Sequence, residues 1–272
     1  MEVNKSQLLG ALTLGCSLLW SPVALAECRD ALTAFAAQDR AELTYNASLS
    51  QCQSLAHGSF AKGAVMLAPV YELASQDNTA ARHLVDLIIV EQGKVHRRLP
   101  QPLLFAPEAH VLSNVELDAI QNWQGLHTGS DSQILGLRTS VQVGEAGVSE
   151  EQKTLHLFLL QEASLRPILL NMPMERHFRR TENVANSEST RGFGSEIRTI
   201  FSIQPTQHHD FADIGVMRSV VYGDLVDGEW AVVIEDRATM ELHYDGNRYV
   251  PQDLYDFNEQ WRAEVRATLS QP

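Results

Sequence analysis

Leu155-His156-Leu157-Phe158-Leu159-Leu160-Gln161-Glu162-Ala163-Ser164-Leu165-Arg166-Pro167-Ile168-Leu169 decides the fold class. A short apolar run ends in a polar turn, and the returning run mixes bulky apolar residues with a base. So brief a run, bounded by turn formers, reads as a β-strand. The design recurs in Ile88-Ile89-Val90-Glu91-Gln92-Gly93-Lys94-Val95 and in Leu242-His243-Tyr244-Asp245-Gly246-Asn247-Arg248-Tyr249-Val250. Residues 84–90, 197–203 and 230–234 are further apolar or alternating runs. Asp245-Gly246 and Asp227-Gly228 suit tight hairpins, because glycine accepts the positive φ such turns need. The fold class is therefore mainly β (α+β), with an antiparallel β-domain over residues 61–252. Residues 127–133 and 181–196 read as loops, the second polar and long enough to carry a binding surface.

Outward from this domain the pattern becomes helical. Residues 1–26 read as a secretory signal: a polar start with Lys5, an apolar run over 8–20, then Ala24-Leu25-Ala26 as the cleavage site. Over residues 27–60, Cys28, Leu32, Phe35 and Ala36 fall on one helical face, and Leu49, Cys52 and Leu55 on a second. An antiparallel helical hairpin clasped by Cys28–Cys52 follows, since Cys16 leaves with the signal and an even pair remains for an oxidising compartment. Over residues 253–272, Leu254, Phe257, Trp261, Val265 and Leu269 recur at three or four residues. Early acids and late arginines complement a helix dipole there, so a C-terminal amphipathic helix is expected to pack on the β-domain.

The 272-residue chain carries 21 basic and 34 acidic side chains, a net charge of −13, which argues against nucleic acid as a partner. The apolar fraction of 44% is too high for a disordered chain. Removing residues 1–26 removes one Lys and one Glu, so the mature chain keeps its charge. No other stretch approaches membrane-spanning length. The expected product is exported, periplasmic or secreted, and not membrane-spanning after processing.

Residues 155–169 and the closing Tyr244-Asp245-Gly246-Asn247-Arg248-Tyr249-Val250-Pro251 resemble uncharacterised exported proteins of Gram-negative bacteria. The strand-turn-strand units ending in Tyr-Asp-Gly-x-x-Tyr are also similar to blades of FG-GAP-like repeat proteins. The resemblance covers about half of the chain and implies a β-rich secreted scaffold. Asp224-Leu225-Val226-Asp227-Gly228-Glu229 holds only part of the acidic calcium loop common in such repeats, and no catalytic residue carries over.

Several clusters invite chemistry. His208, His209, Asp210 and Asp213 form the densest ligand-like group, of the residue types zinc takes. Adjacent histidines diverge on a strand or a helix, and His57, His83, His96, His156, His177 and His243 supply no second half at metal-site spacing. A polar loop accounts for the cluster better than a metal does. Ser59-Phe60-Ala61-Lys62 has the Ser-x-x-Lys spacing of a nucleophile and its base, but the supporting Ser-Asp-Asn and Lys-Thr-Gly elements are absent. Gly192-Phe193-Gly194-Ser195 falls short of a nucleophile elbow. Two basic knots stand out, His96-Arg97-Arg98 and Arg176-His177-Phe178-Arg179-Arg180. Arginine forks hold carboxylate or phosphate, so Arg176, Arg179 and Arg180 are the candidate binding surface.

These features favour an exported, non-catalytic binding or interaction protein, with no cofactor and with an envelope protein or an anionic ligand as partner. The alternative is an exported hydrolase of cell-envelope polymer, metal-dependent through the His208 to Asp213 group.

Overall fold

The structure, a computed structural model, describes residues 22–55, 64–73, 82–105, 110–118, 120–127, 129, 132–145, 147–161, 164–183, 190–226 and 229–251. The chain begins with helix α1 (Pro22–Asp39). Eight short strands follow: β1 (Thr44–Tyr45), β2 (Gln51–Ser54), β3 (Val65–Ala68), β4 (Val70–Leu73), β5 (Arg82–Val85), β6 (Ile88–Glu91), β7 (Lys94–Arg98) and β8 (Leu103–Phe105). They form two four-stranded sheets, ordered β1-β4-β5-β8 and β2-β3-β6-β7. The second half consists of β9 (His110–Asp118), β10 (Ser132–Glu145), β11 (Val148–Gln161), β12 (Ser164–Asn183), β13 (Thr190–His208), β14 (Phe211–Val226), β15 (Glu229–Tyr244) and β16 (Tyr249–Pro251). These eight strands pair in chain order as one antiparallel meander. The mainly β expectation stands.

The stretch read first lies at the centre of the packing. Leu155, Leu157 and Leu159 of β11 join Ile168 and Leu169 of β12, Ile214 and Val216 of β14, and Leu242 and Tyr244 of β15 in one core. Phe158 and Leu160 point the other way, into a core shared with Met66, Val70, Leu87 and Ile89 of the small sheets. A strand buried on both faces needs apolar residues at every position rather than at alternate ones, which is why the run over 157–160 is continuous, preceded by the buried His156. The inclusion of β11 with β14 and β15 in one core means that the meander curls back on itself.

The helical face read at the N-terminus is real. Cys28, Leu32 and Ala36 are buried on α1, and Cys28 and Leu32 pack with Leu67, Ile88 and Val90. Cys28 is disulfide-bonded to Cys52, with Cα atoms 6.0 Å apart. Closing a loop of this length contributes roughly 3 kcal/mol in the chain-entropy model, and the bond marks an oxidising environment. The second helix of the expected hairpin is not formed. Cys52 lies on β2, opposite Leu67 of β3. The local reason is Asn46, whose Oδ1 accepts hydrogen bonds from the Ser48 hydroxyl and the Leu49 amide, while the Ser50 hydroxyl donates to its carbonyl. This closes a turn that feeds a strand, and ladder pairing overrides the helical spacing of Leu49, Cys52 and Leu55. The expected signal cleavage at Ala26 falls within the first turns of α1. The expected C-terminal helix, Ser59 and Lys62, and Asp227-Gly228 lie outside the described residues.

Within the expected loop at 181–196, residues 181–183 and 190–196 are a second correction, while 184–189 lie outside the described residues. β12 continues to Asn183 and β13 begins at Thr190, with Thr181 paired to Gly192 and His177 to Glu196. Gly192 and Gly194 are there because strands press on them: a Cβ would stand 2.2 Å from the Arg180 carbonyl oxygen at the first and 2.5 Å from that of Phe178 at the second. These glycines mark close backbone approach in a sheet, not a loop. The hairpins read at 88–95 and 242–250 are present as β6–β7 and β15–β16. In the second, Asp245 Oδ1 accepts from the amides of Asn247 and Arg248, each at 2.8 Å.

Candidate functional site

The hairpin joining β13 to β14 turns on His209 and Asp210, whose φ values of 51° and 67° are both positive. A two-residue turn with positive φ at both positions matches the right-handed twist of the strands it joins. His209 and Asp210 therefore form the bend itself, and both are exposed. The residues flanking the bend are placed differently. His208 ends β13, and Asp213 lies on β14 with no exposed surface.

Their third partner comes from β15. The register sets Ile214 opposite Leu242, so one step further along the ladder Asp213 meets His243. His208 Nδ1 is 2.8 Å from Asp213 Oδ1 and 3.0 Å from His243 Nδ1. His243 Nδ1 is 3.5 Å from Asp213 Oδ1, and its Nε2 is 3.7 Å from Glu241 Oε2. The two rings meet edge to face, with centroids 4.4 Å apart. Burial by itself would raise the Asp213 pKa. Hydrogen bonds from Thr206 and His208, with the nearby His243 and His208 charges, outweigh it and hold the carboxyl below its ordinary value.

A groove of about 400 Å³ runs beside this cluster across β13, β14 and β15. Ser202, Gln204, Gly215, Met217, Thr239 and Glu241 are among its lining residues. Gly215 is two residues from Asp213 on β14, and Glu241 is two residues from His243 on β15, so alternation places groove and cluster on the same side of the ladder. Gly215 keeps the floor low: a Cβ there would stand 2.2 Å from Gln204 Nε2 and 2.7 Å from Ser202 Oγ. The Gln204 amide instead folds over the glycine and donates to Ser202 Oγ at 2.7 Å.

The structure thus retains His208 and Asp213 from the sequence-predicted group, uses His209 and Asp210 for the turn, and adds His243 and Glu241. His243 lies far from the other two along the chain, outside any metal-ligand spacing. The signal that could have found it is the β-pairing itself: consecutive hairpins bring His243 beside Asp213 once the β14–β15 register is known.

The arginine knot is divided. Arg176 Nε donates to Glu150 Oε1 at 2.7 Å, and its guanidinium lies over the Phe178 ring at 5.8 Å. Arg179 is opposite Gly194 and Arg180 opposite Phe193, so alternation turns Arg179 to the face opposite Arg176 and Arg180. The three do not share one surface. In the other knot, Arg98 is engaged by Asp39 and Asp86, and Arg97 donates to the His96 carbonyl. Ser195 is buried within β13. Among the described residues no helix is long and apolar enough to cross a membrane.

No known family model, curated protein or solved structure matches this chain.

Proposed function

We propose that this chain is an exported, non-catalytic binding protein that takes an extended segment of an envelope partner across the β13–β15 face. The observation that carries this reading is the groove floored by Gly215. Its hydroxyls, its amide and the exposed Met217 thioether suit a ligand held by hydrogen bonds and dispersion, and methionine adapts to irregular apolar shapes. Among the lining residues only Glu241 ionises, so acid–base chemistry has little to draw on there. The disulfide supports an exported setting, as does the leader-like sequence of residues 1–26. A β-rich secreted scaffold is also what the resemblance to FG-GAP-like blades implies.

Gly215→Leu tests the reading. The new side chain displaces the Gln204 amide, which is the far end of a flexible side chain, and fills the groove while the strands stay paired. Capture of periplasmic ligand by the purified protein, read by native mass spectrometry, is expected to fall at least about tenfold, a loss of about 1.4 kcal/mol. Unchanged capture by a folded Gly215→Leu protein would contradict it.

Glu241 beside His243 favours a second reading, a metal-dependent hydrolase of envelope polymer, with three protein ligands and a nearby carboxylate as in catalytic zinc sites. Metal-dependent turnover of envelope polymer, lost on Glu241→Gln, would select this reading over simple binding.

A further inference from the structure

We infer that His208 Nδ1, Asp213 Oδ1 and His243 Nδ1 form a binding site for one divalent transition-metal ion, with zinc the best match to the donor set. The separations of the three donor atoms support this whatever the groove takes. Donor atoms 2.0–2.1 Å from a tetrahedral zinc stand about 3.3 Å from one another. The three separations here are 2.8, 3.0 and 3.5 Å. An ion at the usual distance would therefore sit about 1 Å above the plane of the three atoms, leaving its fourth position open.

Hydrogen bonding alone does not account for the arrangement. A proton on His208 Nδ1 serves Asp213 Oδ1 but leaves the His243 Nδ1 lone pair facing that oxygen, a proton on His243 Nδ1 does the converse, and protons on both set two N–H groups 3.0 Å apart. Asp213 Oδ2 and His243 Nε2 are buried, and neither has a hydrogen-bond partner within 3.5 Å. Such groups cost free energy unless something else recovers it. A bound cation on Oδ1 compensates the buried carboxylate charge. It also fixes the His243 tautomer, placing a proton on Nε2, which faces the Glu241 carboxylate. A carboxylate behind a ligating imidazole is the usual outer support of zinc sites. Two histidines with one carboxylate suit zinc better than calcium or magnesium, which take oxygen ligands.

The test uses the full, disulfide-bonded chain, purified without an affinity tag, and zinc itself as the probe. Calorimetric titration is expected to give one zinc per chain, and cobalt in its place should show the intense visible absorption of a tetrahedral site. His208→Ala and His243→Ala should each weaken zinc binding at least about a hundredfold. His209→Ala, which alters only the turn, should leave it unchanged. His208 is half-exposed, so His208→Ala tests the site without opening the core. Absence of saturable zinc binding, or equal loss in His209→Ala and His208→Ala, would overturn the proposal. Zinc binding without ligand capture would retain this site and remove the groove reading. Capture without zinc would do the reverse.

Discussion

Asp86→Ala is expected to destabilise the fold by about 3 kcal/mol, measured as the loss in unfolding free energy by urea titration. Asp86 has no exposed surface and sits between the small sheets and α1. Its Oδ1 accepts from the Leu87 amide at 3.0 Å, and its Oδ2 is engaged by the Arg98 guanidinium, with Arg40 Nη2 at 3.6 Å. Arg98 in turn grips Asp39 at the end of α1 through two hydrogen bonds of 2.7 Å. Burial works against the guanidinium charge, but hydrogen bonds and charge from Asp39 and Asp86 prevail and hold its pKa above the ordinary value. Removing one partner of a buried pair costs roughly 3–5 kcal/mol, because the other charge is left without compensation. The lower end applies here, since Arg98 retains Asp39 and is partly exposed to water. Asp86→Asn keeps an acceptor for the Leu87 amide and should lose less. A fall below about 1 kcal/mol in Asp86→Ala would show that the network does not hold α1 to the sheets.

The second large effect is a loss of stability on acidification centred on His156. This imidazole is buried in β11, where Nδ1 accepts from the Asn171 amide at 3.3 Å. That bond assigns the proton to Nε2, which faces Thr139 Oγ1 at 3.1 Å. Burial lowers its pKa from 6.5 to about 4. Between those values the unfolded chain takes up a proton that the folded chain refuses, so stability falls as pH drops from 6.5 towards 4 and is fully present above 6.5. A shift of this size corresponds to about 3 kcal/mol. His83 is lowered chiefly by burial too, and acts in the same direction. Asp213, held below its ordinary value, contributes only at still lower pH. His156→Gln should therefore flatten the dependence between pH 6.5 and 4 while leaving the steeper acid limb in place. An unchanged slope in that variant would rule out His156 as the source.

Much of the fold was readable where local and tertiary demands agree. The run at 155–160 read as a strand because turn formers bound it, and the structure buries it on both faces; Asp245-Gly246 read as a tight hairpin, which Asp245 also closes with its side-chain acceptor. Reading failed where long-range pairing decided the outcome. Cys52 has helical neighbours in sequence, yet Leu67 draws it into a ladder. Gly192 and Gly194 look like loop residues until the facing carbonyls of Arg180 and Phe178 are considered. The site followed the same rule. His208 and Asp213 could be picked out because one tight turn separates them. His243 reaches them only through the β14–β15 register, which periodicity alone does not specify. The arginine knot erred in the opposite way: neighbours in sequence were divided between two faces by the alternation of a strand.

The claim that the β13–β15 face is the binding surface is tested most directly by site-specific photo-cross-linking in intact cells. A cross-linking amino acid at Met217, in the groove, is compared with one at Val95 on β7, outside it. The two positions are 41% and 50% exposed, so access favours neither by much. The expected result is a discrete adduct from Met217, abolished by Gly215→Leu, and none from Val95. No adduct at Met217, or the same adducts from both positions, would contradict the account.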